Sequence, residues 1–522
     1  MEKAGNQWIA AMAAAALFVW VGSALGEEKS AAITVEQQAA APKPGQVMVL
    51  SLQESVLLGL KNNLDIAIEG FNPKVREADI TAAKAVFDPA AFAEVSFANT
   101  RTPGRSALTQ TRVNVNQDLD FNVGLRQELP TGGRYELRFD NNRNFNNAAF
   151  FTAARNGIAY TSDLTLTLTQ PFLKNFGVDI NRVRIKIAKN EWEISLDRLR
   201  QRTMDVITQV QAAYWDLVFA LENLKVQERS LRLARELAEL NRARARAGVA
   251  APVEITQAEA EIAARDGDAI TAEKGVRDAE DRLKVVLNIP REGEWGGAIL
   301  PADPARFSPV TLDLPQAVAA ALRKRPEYQT AKVELANREL NLRFARNQLL
   351  PDLSFQGSVG LNGLDAGGPV TDPSYGDNLS VLGSGDFFNY SAGLVLTIPL
   401  GNRAARAEFI KTRLARDQAE VSLRNLELQI TAEVREAVRR VRADTKRVEA
   451  TKAARVLAEE QLRIEQKRLE AGVSTTFEVL RLQRDLAAAQ ANEVKALTDY
   501  NKSLATMDRV RGVVLGKHHV EL

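Results

Sequence analysis

Apolar residues along this chain follow two spacings, which alternate in a fixed order. At 52–61 (LQESVLLGLK) they recur three and four apart, as on one face of an α-helix. A second helix is expected over 63–87, kinked at Pro73 and ended by Asp88-Pro89. The spacing then drops to two. Ala91, Ala93, Val95 and Phe97 alternate with Phe92, Glu94, Ser96 and Ala98, the pattern of a strand with two unlike faces. Over 111–145, Phe121, Val123 and Leu125 lead into Pro130-Thr131-Gly132-Gly133, and Tyr135, Leu137 and Phe139 lead out, which predicts a hairpin. Residues 146–159 read as loop, and Leu164, Leu166 and Leu168 then alternate with Thr165, Thr167 and Thr169 up to Pro171. Helical spacing returns from 178 to 246 and again from 252 to 288.

The second half repeats this order after a Pro- and Gly-rich linker at 290–313. Helices are expected at 314–324 and 327–349, with a break at Pro351. Leu353, Phe355, Val359 and Leu361 mark a strand, 362–386 a Gly/Asp/Ser-rich loop, and Leu394, Leu396 and Ile398 a last strand against Gly393, Val395 and Thr397. Helices are then expected over 403–470 and 474–511. Val318 follows Val56, and Pro351 follows Pro89, by 262 positions, whereas Pro399 follows Pro171 by 228. The chain is therefore a tandem repeat, 50–289 and 314–512, whose first β-region is longer by 262 − 228 = 34 residues.

The turns of the two long helical hairpins match closely. Arg244, Ala247, Gly248, Val249 and Glu254 correspond to Arg468, Ala471, Gly472, Val473 and Glu478, each 224 positions later. Gly at these places can close a helix in the left-handed conformation. Pro252 stands where a first helical residue belongs, and Thr475 with Glu478 has capping-box spacing. The arginines can also be read as cations favoured at a helix C-terminus, and the glutamates as caps. At 1.5 Å per residue the 403–470 helix is about 100 Å long, and its returning partner about 57 Å. The 327–349 helix adds about 35 Å, so two shorter helices end to end nearly match the long one. This gives a rod of antiparallel helices with strands at one end.

Composition removes whole classes of chemistry. The 522 residues include 68 basic and 66 acidic ones, so no charge excess points to nucleic acid. There is no Cys, and the two His, His518 and His519, lie in the last five residues, a stretch expected to be an unstructured tail (513–522). Thiol nucleophiles, disulfides and Cys-bound metals are excluded. No phosphate-binding G-x-x-x-x-G-K run occurs. We expect no enzyme, no catalytic, cofactor-binding or metal site, and no cofactor. Residues 1–26 read as a secretory signal, with an apolar stretch at 8–25 and cleavage before Glu27. Residues 27–49 read as a flexible leader. Beyond the signal no apolar run is long enough for a spanning helix, so a mature chain that crosses a membrane must do so as a closed barrel.

The strands have the length and dyad pattern of transmembrane β-strands, although a soluble sheet with one buried face alternates in the same way. Four strands cannot close a lipid-exposed barrel; three copies would supply twelve. The order of elements resembles the TolC-like outer-membrane efflux family. So do the AGV tips followed by an acidic residue, and the QPFLKNFG segment at Gln170–Gly177. The resemblance covers 50 to about 512. It implies a mainly α protein with β: a trimeric outer-membrane β-barrel continued by a long periplasmic coiled-coil barrel. It also implies localisation to the bacterial outer membrane and a homotrimer in contact with outer-membrane lipid. A periplasmic adaptor (membrane fusion protein) would join the channel to an inner-membrane transporter, as in tripartite efflux or type I secretion. The tips at 244–254 and 468–473 would touch the adaptor. In that family, acidic residues six and nine positions after the second tip Gly constrict the entrance; here these positions hold Glu478 and Arg481, the gate candidates. Leu164, Leu166, Leu168, Leu394, Leu396 and Ile398 would face lipid, and Thr165, Thr167 and Thr397 the lumen. The extra 34 residues are expected at or beyond the extracellular rim, in preference to two more membrane strands. The other reading is an exported coiled-coil scaffold without a channel.

Overall fold

The computed structural model describes residues 47–104, 112–147, 157–248, 251–289, 297–368 and 371–520. The expected signal and nearly all of the leader lie outside them. In chain order the first half contains β1 (Met48–Leu50), α1 (Leu52–Asn62), α2 (Leu64–Glu69), α3 (Phe71–Lys84), β2 (Ala90–Pro103), β3 (Val113–Glu128), β4 (Arg134–Asn146), β5 (Ile158–Pro171), α4 (Val178–Asn181), α5 (Val183–Arg246) and α6 (Pro252–Leu287). The second half contains β6 (Ile299–Pro301), α7 (Leu314–Lys324), α8 (Pro326–Asn347), β7 (Asp352–Asp365), α9 (Tyr375–Ser384), β8 (Phe388–Thr397), α10 (Arg403–Glu470), α11 (Thr476–Val510) and α12 (Val514–Lys517). The chain is mainly helical, with one large sheet.

That sheet has six antiparallel strands in the order β2-β3-β4-β5-β7-β8. The expectation that the extra residues form an extension outside the sheet is corrected here. Residues 113–146, which number 34, are the β3–β4 hairpin, and it is inserted between β2 and β5. Every residue of β2, from Ala90 opposite Arg126 to Pro103 opposite Val113, has a partner on β3. The sequence offset found the length of the insert, but pairing between strands is non-local and left no mark in it.

Both faces of the sheet follow the period-two pattern. Leu166 lies opposite Leu137 and Val359, and Leu394 opposite Phe355, so the leucines of both halves share one face. Thr165 lies opposite Arg138 and Gly360 on the other face, and Thr397 opposite Asp352. Ile398 falls just past the end of β8 and is exposed.

The helices pack through three large apolar clusters and a smaller one around Tyr214, Trp215 and Val218 of α5. Val56 of α1, Val206, Ile207, Val210 and Leu217 of α5, and Leu283 and Leu287 of α6 form the first. Ala317 and Ala321 of α7, Tyr328 of α8, Ile430, Val434 and Val441 of α10, and Tyr500 and Met507 of α11 form the second. Each fully buried Val, Ile or Leu contributes about 1.5–3 kcal/mol. Ion pairs add a bridge between the two helical hairpins, from Arg509 on α11 to Asp205 on α5 (2.5 Å) and from Lys502 to Asp216.

Four further expectations are corrected. The break in the second helix falls at Gly70, and Pro73 sits in the first turn of α3, where its missing N–H costs nothing. Met48 and Val49, expected in the leader, pair together with Leu50 in parallel with Ile299–Pro301 in the linker, a strand pair too short to show a period. The 362–386 loop contains α9, started by Ser374, whose hydroxyl accepts from the Gly376 N–H at 3.1 Å. The 513–520 tail is ordered. Val514 is buried in the first cluster, and His518 Nε2 lies 2.9 Å from Gln211 Nε2 of α5. Burial lowers the pKa of His518 from 6.5, with the neighbouring Lys517 adding to the effect.

Candidate functional site: the two helical tips

The first tip joins α5 to α6, and the second joins α10 to α11. At the second, the Gly472 N–H donates to the Leu469 carbonyl (3.1 Å), and the Val473 N–H donates to that of Arg468 (3.0 Å). These two bonds satisfy carbonyls that a helix end leaves open, and they require the left-handed φ of +74° that Gly472 adopts. Gly248 does the same at φ +77°, its N–H donating to Ala245 at 3.0 Å. Val249 lies outside the described residues. Ala247, Gly248, Ala471, Gly472 and Val473 are exposed, Arg468 is exposed and 3.2 Å from Glu465, and Arg244 is half-buried.

The matched glutamates have different surroundings. Thr475 caps α11 by accepting the Glu478 N–H at 3.4 Å, which is one half of a capping box. The Glu478 carboxylate instead pairs with Arg481, one turn along the same helix, at 2.6 Å, and the two side chains are 39% and 55% exposed. Glu254 turns toward the other hairpin. Its carboxylate lies 2.8 Å from the Thr476 hydroxyl, which is also 3.1 Å from the Asn241 side chain. Thr476 is 1% exposed and Asn241 0%. A hydroxyl has one proton to give. We assign it to Glu254 and orient the Asn241 amide with its NH2 toward the Thr476 oxygen, which satisfies the otherwise unpartnered amide.

Thr476 and Asn241 escaped the sequence reading because their partners lie 222 and 235 positions away. The local capping signal belongs to Thr475, one residue earlier. Beneath the polar contact lies the third apolar cluster, in which Leu237 of α5 meets Leu462 and Leu469 of α10 and Val479, Leu480 and Leu486 of α11. Thus the two tips of one protomer are held side by side, while Glu478 and Arg481 are left accessible. Among the described residues no helix is long and apolar enough to cross a membrane.

The family model for outer membrane efflux proteins matches residues 141–288 and 317–513, well over half of the chain. Nodulation protein T of Rhizobium leguminosarum bv. trifolii is 24% identical over 359 residues, covering 67% of this chain and 72% of the relative. Outer membrane efflux protein BepC of Brucella suis biovar 1 is 26% identical over 342 residues, covering 62% and 68%. Among solved structures, the Campylobacter jejuni CmeC outer membrane channel aligns with a TM-score of 0.62 at 16% identity, covering 88% of this chain and 85% of that one. At that identity the likeness establishes the fold: paired helical hairpins joined to a sheet. The family is one of channels and transport proteins, not of enzymes. With that family model spanning both helical hairpins, the chain belongs to the outer membrane efflux protein family.

Proposed function

We propose that this protein is the outer-membrane channel of a tripartite efflux or type I secretion assembly. Three copies close a β-barrel in the outer membrane and a helical tunnel below it. Substrates reach the tunnel from a periplasmic adaptor and an inner-membrane transporter, and leave to the exterior.

The observation that carries this reading is the sheet. Its outer strands, β2 and β8, are exposed along nearly their whole length, and each has an edge without a partner among the described strands. Long bare edges invite pairing with another chain. β8 runs toward the helices and β2 runs away from them, so β8 of one copy can pair antiparallel with β2 of the next. Repetition of this contact by rotation closes a ring. The descriptions of the relatives as an efflux protein and a channel support the same reading.

The tips then have two roles. Ala247, Gly248, Val249, Ala471, Gly472 and Val473, with Arg244, Arg468 and Glu254 behind them, are the adaptor-facing ends. Glu478 and Arg481 stand at the periplasmic entrance, three times each around the axis. An exposed pair already made within one helix is available to a neighbouring copy in the closed ring. Such pairs hold the entrance shut and leave it near neutral, so cation preference is weak. Fractionation of cells producing the protein tests the channel. Recovery with the outer membrane as a trimer is expected, and recovery as a soluble periplasmic monomer contradicts it.

A further inference from the structure

We infer that the β3–β4 hairpin is part of the membrane wall, so that three copies of the six-stranded sheet close an eighteen-stranded barrel with a polar lumen. This rests on the trimeric channel reading above and goes beyond it, since three copies without the hairpin would give only twelve strands.

The hairpin turn lies at the helical end of the sheet. β2 begins just after α3, β5 ends just before α4, β7 begins just after α8, and β8 ends just before α10. All the helices therefore leave from one end of the sheet. The Leu129–Gly133 turn lies at that same end. The Gly177 N–H, at the start of α4, donates to the Thr131 carbonyl at 3.0 Å. The Gln127 side chain donates to the Phe87 carbonyl at 2.7 Å. Gly132, at φ +93°, lies so close to the Asn175 carbonyl that a Cβ there would be 2.0 Å from its oxygen. A hairpin standing beyond the outer rim would turn at the opposite end. This one runs the full height of β2 and β5 and is pinned at the periplasmic side.

The two faces of the hairpin also differ in chemistry. Val123 and Leu125 of β3 lie opposite Phe139 and Leu137 of β4, and with Phe121 and Leu119, which lie opposite Val95 and Phe97 of β2, they continue the apolar band of Leu164, Leu166 and Val359; Arg143, opposite Leu119, marks the end of the band away from the helices. Phe121 and Leu137 are exposed. In water this band would be a large bare apolar patch; in a bilayer it is the lipid face. The opposite face carries Asn116, Asp118, Asp120, Asp140, Asn142 and Asn144, cross-linked by their own side chains. Asn144 donates to Asp118 at 2.6 Å, Asn142 to Asp120 at 2.7 Å, and Arg138 pairs with Asp140 at 2.8 Å. Carboxylates of this kind are costly against lipid and cheap against a water-filled lumen.

Barrel diameter grows roughly linearly with strand number, so eighteen strands make a barrel about 1.5 times as wide as twelve. Barrels of about 16–18 strands enclose an aqueous channel. The helices gain no matching insert, so the barrel is not the narrow part of the conduit, and sieving is left to the tips. The outer end of this channel therefore admits bulky, hydrated solutes in preference to selecting among small ones.

The chain has no Cys, so a single introduced one can be labelled uniquely. Phe121→Cys, Leu137→Cys, Asn142→Cys and Leu166→Cys proteins, each with an environment-sensitive fluorophore, would be reconstituted as full-length protein into phosphatidylcholine vesicles. Quenching by a nitroxide-bearing lipid is then compared with quenching by iodide. Labels at Phe121 and Leu137 are expected to be quenched by the lipid as strongly as the label at Leu166 on β5, several-fold more than the label at Asn142, which iodide should reach. Lipid quenching at Leu166 with none at Phe121 or Leu137 overturns the eighteen-stranded wall and leaves the channel standing. Absence of lipid quenching at Leu166 as well removes the channel reading and this inference with it. If one hairpin variant fails to assemble, the other decides.

Discussion

The two halves of the chain share a helical plan and differ at both ends of it. At the sheet end the first half supplies four strands, β2 to β5, and the second half two, β7 and β8. At the tip end Glu254 of the first half bonds across to Thr476, while Glu478, its counterpart 224 positions later, pairs with Arg481 on its own helix. A repeat thus fixes the scaffold while each copy takes on its own task. The first half widens the sheet and ties the tips together, and the second half presents the exposed charges.

This difference can be broken most severely in the sheet. Arg in place of Leu137 on the inserted hairpin, or of Val359 in the second half, which flank Leu166 at one level of the sheet, is expected to destabilise the assembled protein by about 2–4 kcal/mol near mid-bilayer. Arg in place of Thr167, on the lumen face, should be tolerated. Urea or heat unfolding of the three variants in vesicles measures this, and equal loss at all three would refute the faces.

The tips come next. Thr476→Val removes the hydroxyl between Asn241 and Glu254 and leaves the buried Asn241 amide and the half-buried Glu254 carboxylate short of a partner, which should cost about 1–3 kcal/mol. Glu254→Ala should destabilise more than Glu478→Ala, because an exposed ion pair contributes only about 0–1 kcal/mol. Thermal unfolding followed with limited proteolysis of the tips ranks them; the reverse order would show that the two glutamates had been assigned each other's roles. The effect of Glu478 should appear elsewhere. Glu478→Ala or Arg481→Ala should raise single-channel conductance in planar bilayers. Unchanged conductance in both, with a small loss of stability in the Glu478 variant, would leave Glu478 beside an ordinary helix cap.

The smallest effect is at the C-terminus. The lowered pKa of His518 means that the unfolded chain binds its proton more readily than the folded one. The stability it contributes is full above pH 6.5 and is lost as pH falls through the lower folded value. His518→Gln should therefore flatten the melting temperature between pH 7 and pH 5. Asp508, which favours the charged ring, limits the size of the effect. An identical slope in both proteins would refute it.

Much of this was readable in advance where the signal is local. The left-handed Gly248 and Gly472 announce the tips, because few other residues close a helix that way. Period-two leucines and threonines announce β5 and its faces. What could not be read depends on distant partners. The insert was measurable by offset, yet its place between β2 and β5 is set by pairing. The contact of Thr476 with Asn241 and Glu254 joins residues from two hairpins. The helix α9 was hidden because its sequence, YGDNLSVLGS, is rich in the Gly, Asp and Ser of loops.

A trimeric channel built with six strands from each copy can be seen whole. Single-particle imaging of the full-length protein in lipid nanodiscs tests it most directly, because it counts copies and strands together and shows which part the lipid surrounds. A threefold particle with eighteen strands inside the disc and the helical tips projecting from one side is expected. A single copy lying outside the disc, or a threefold barrel of twelve strands with the hairpin folded away from the lipid, would contradict it.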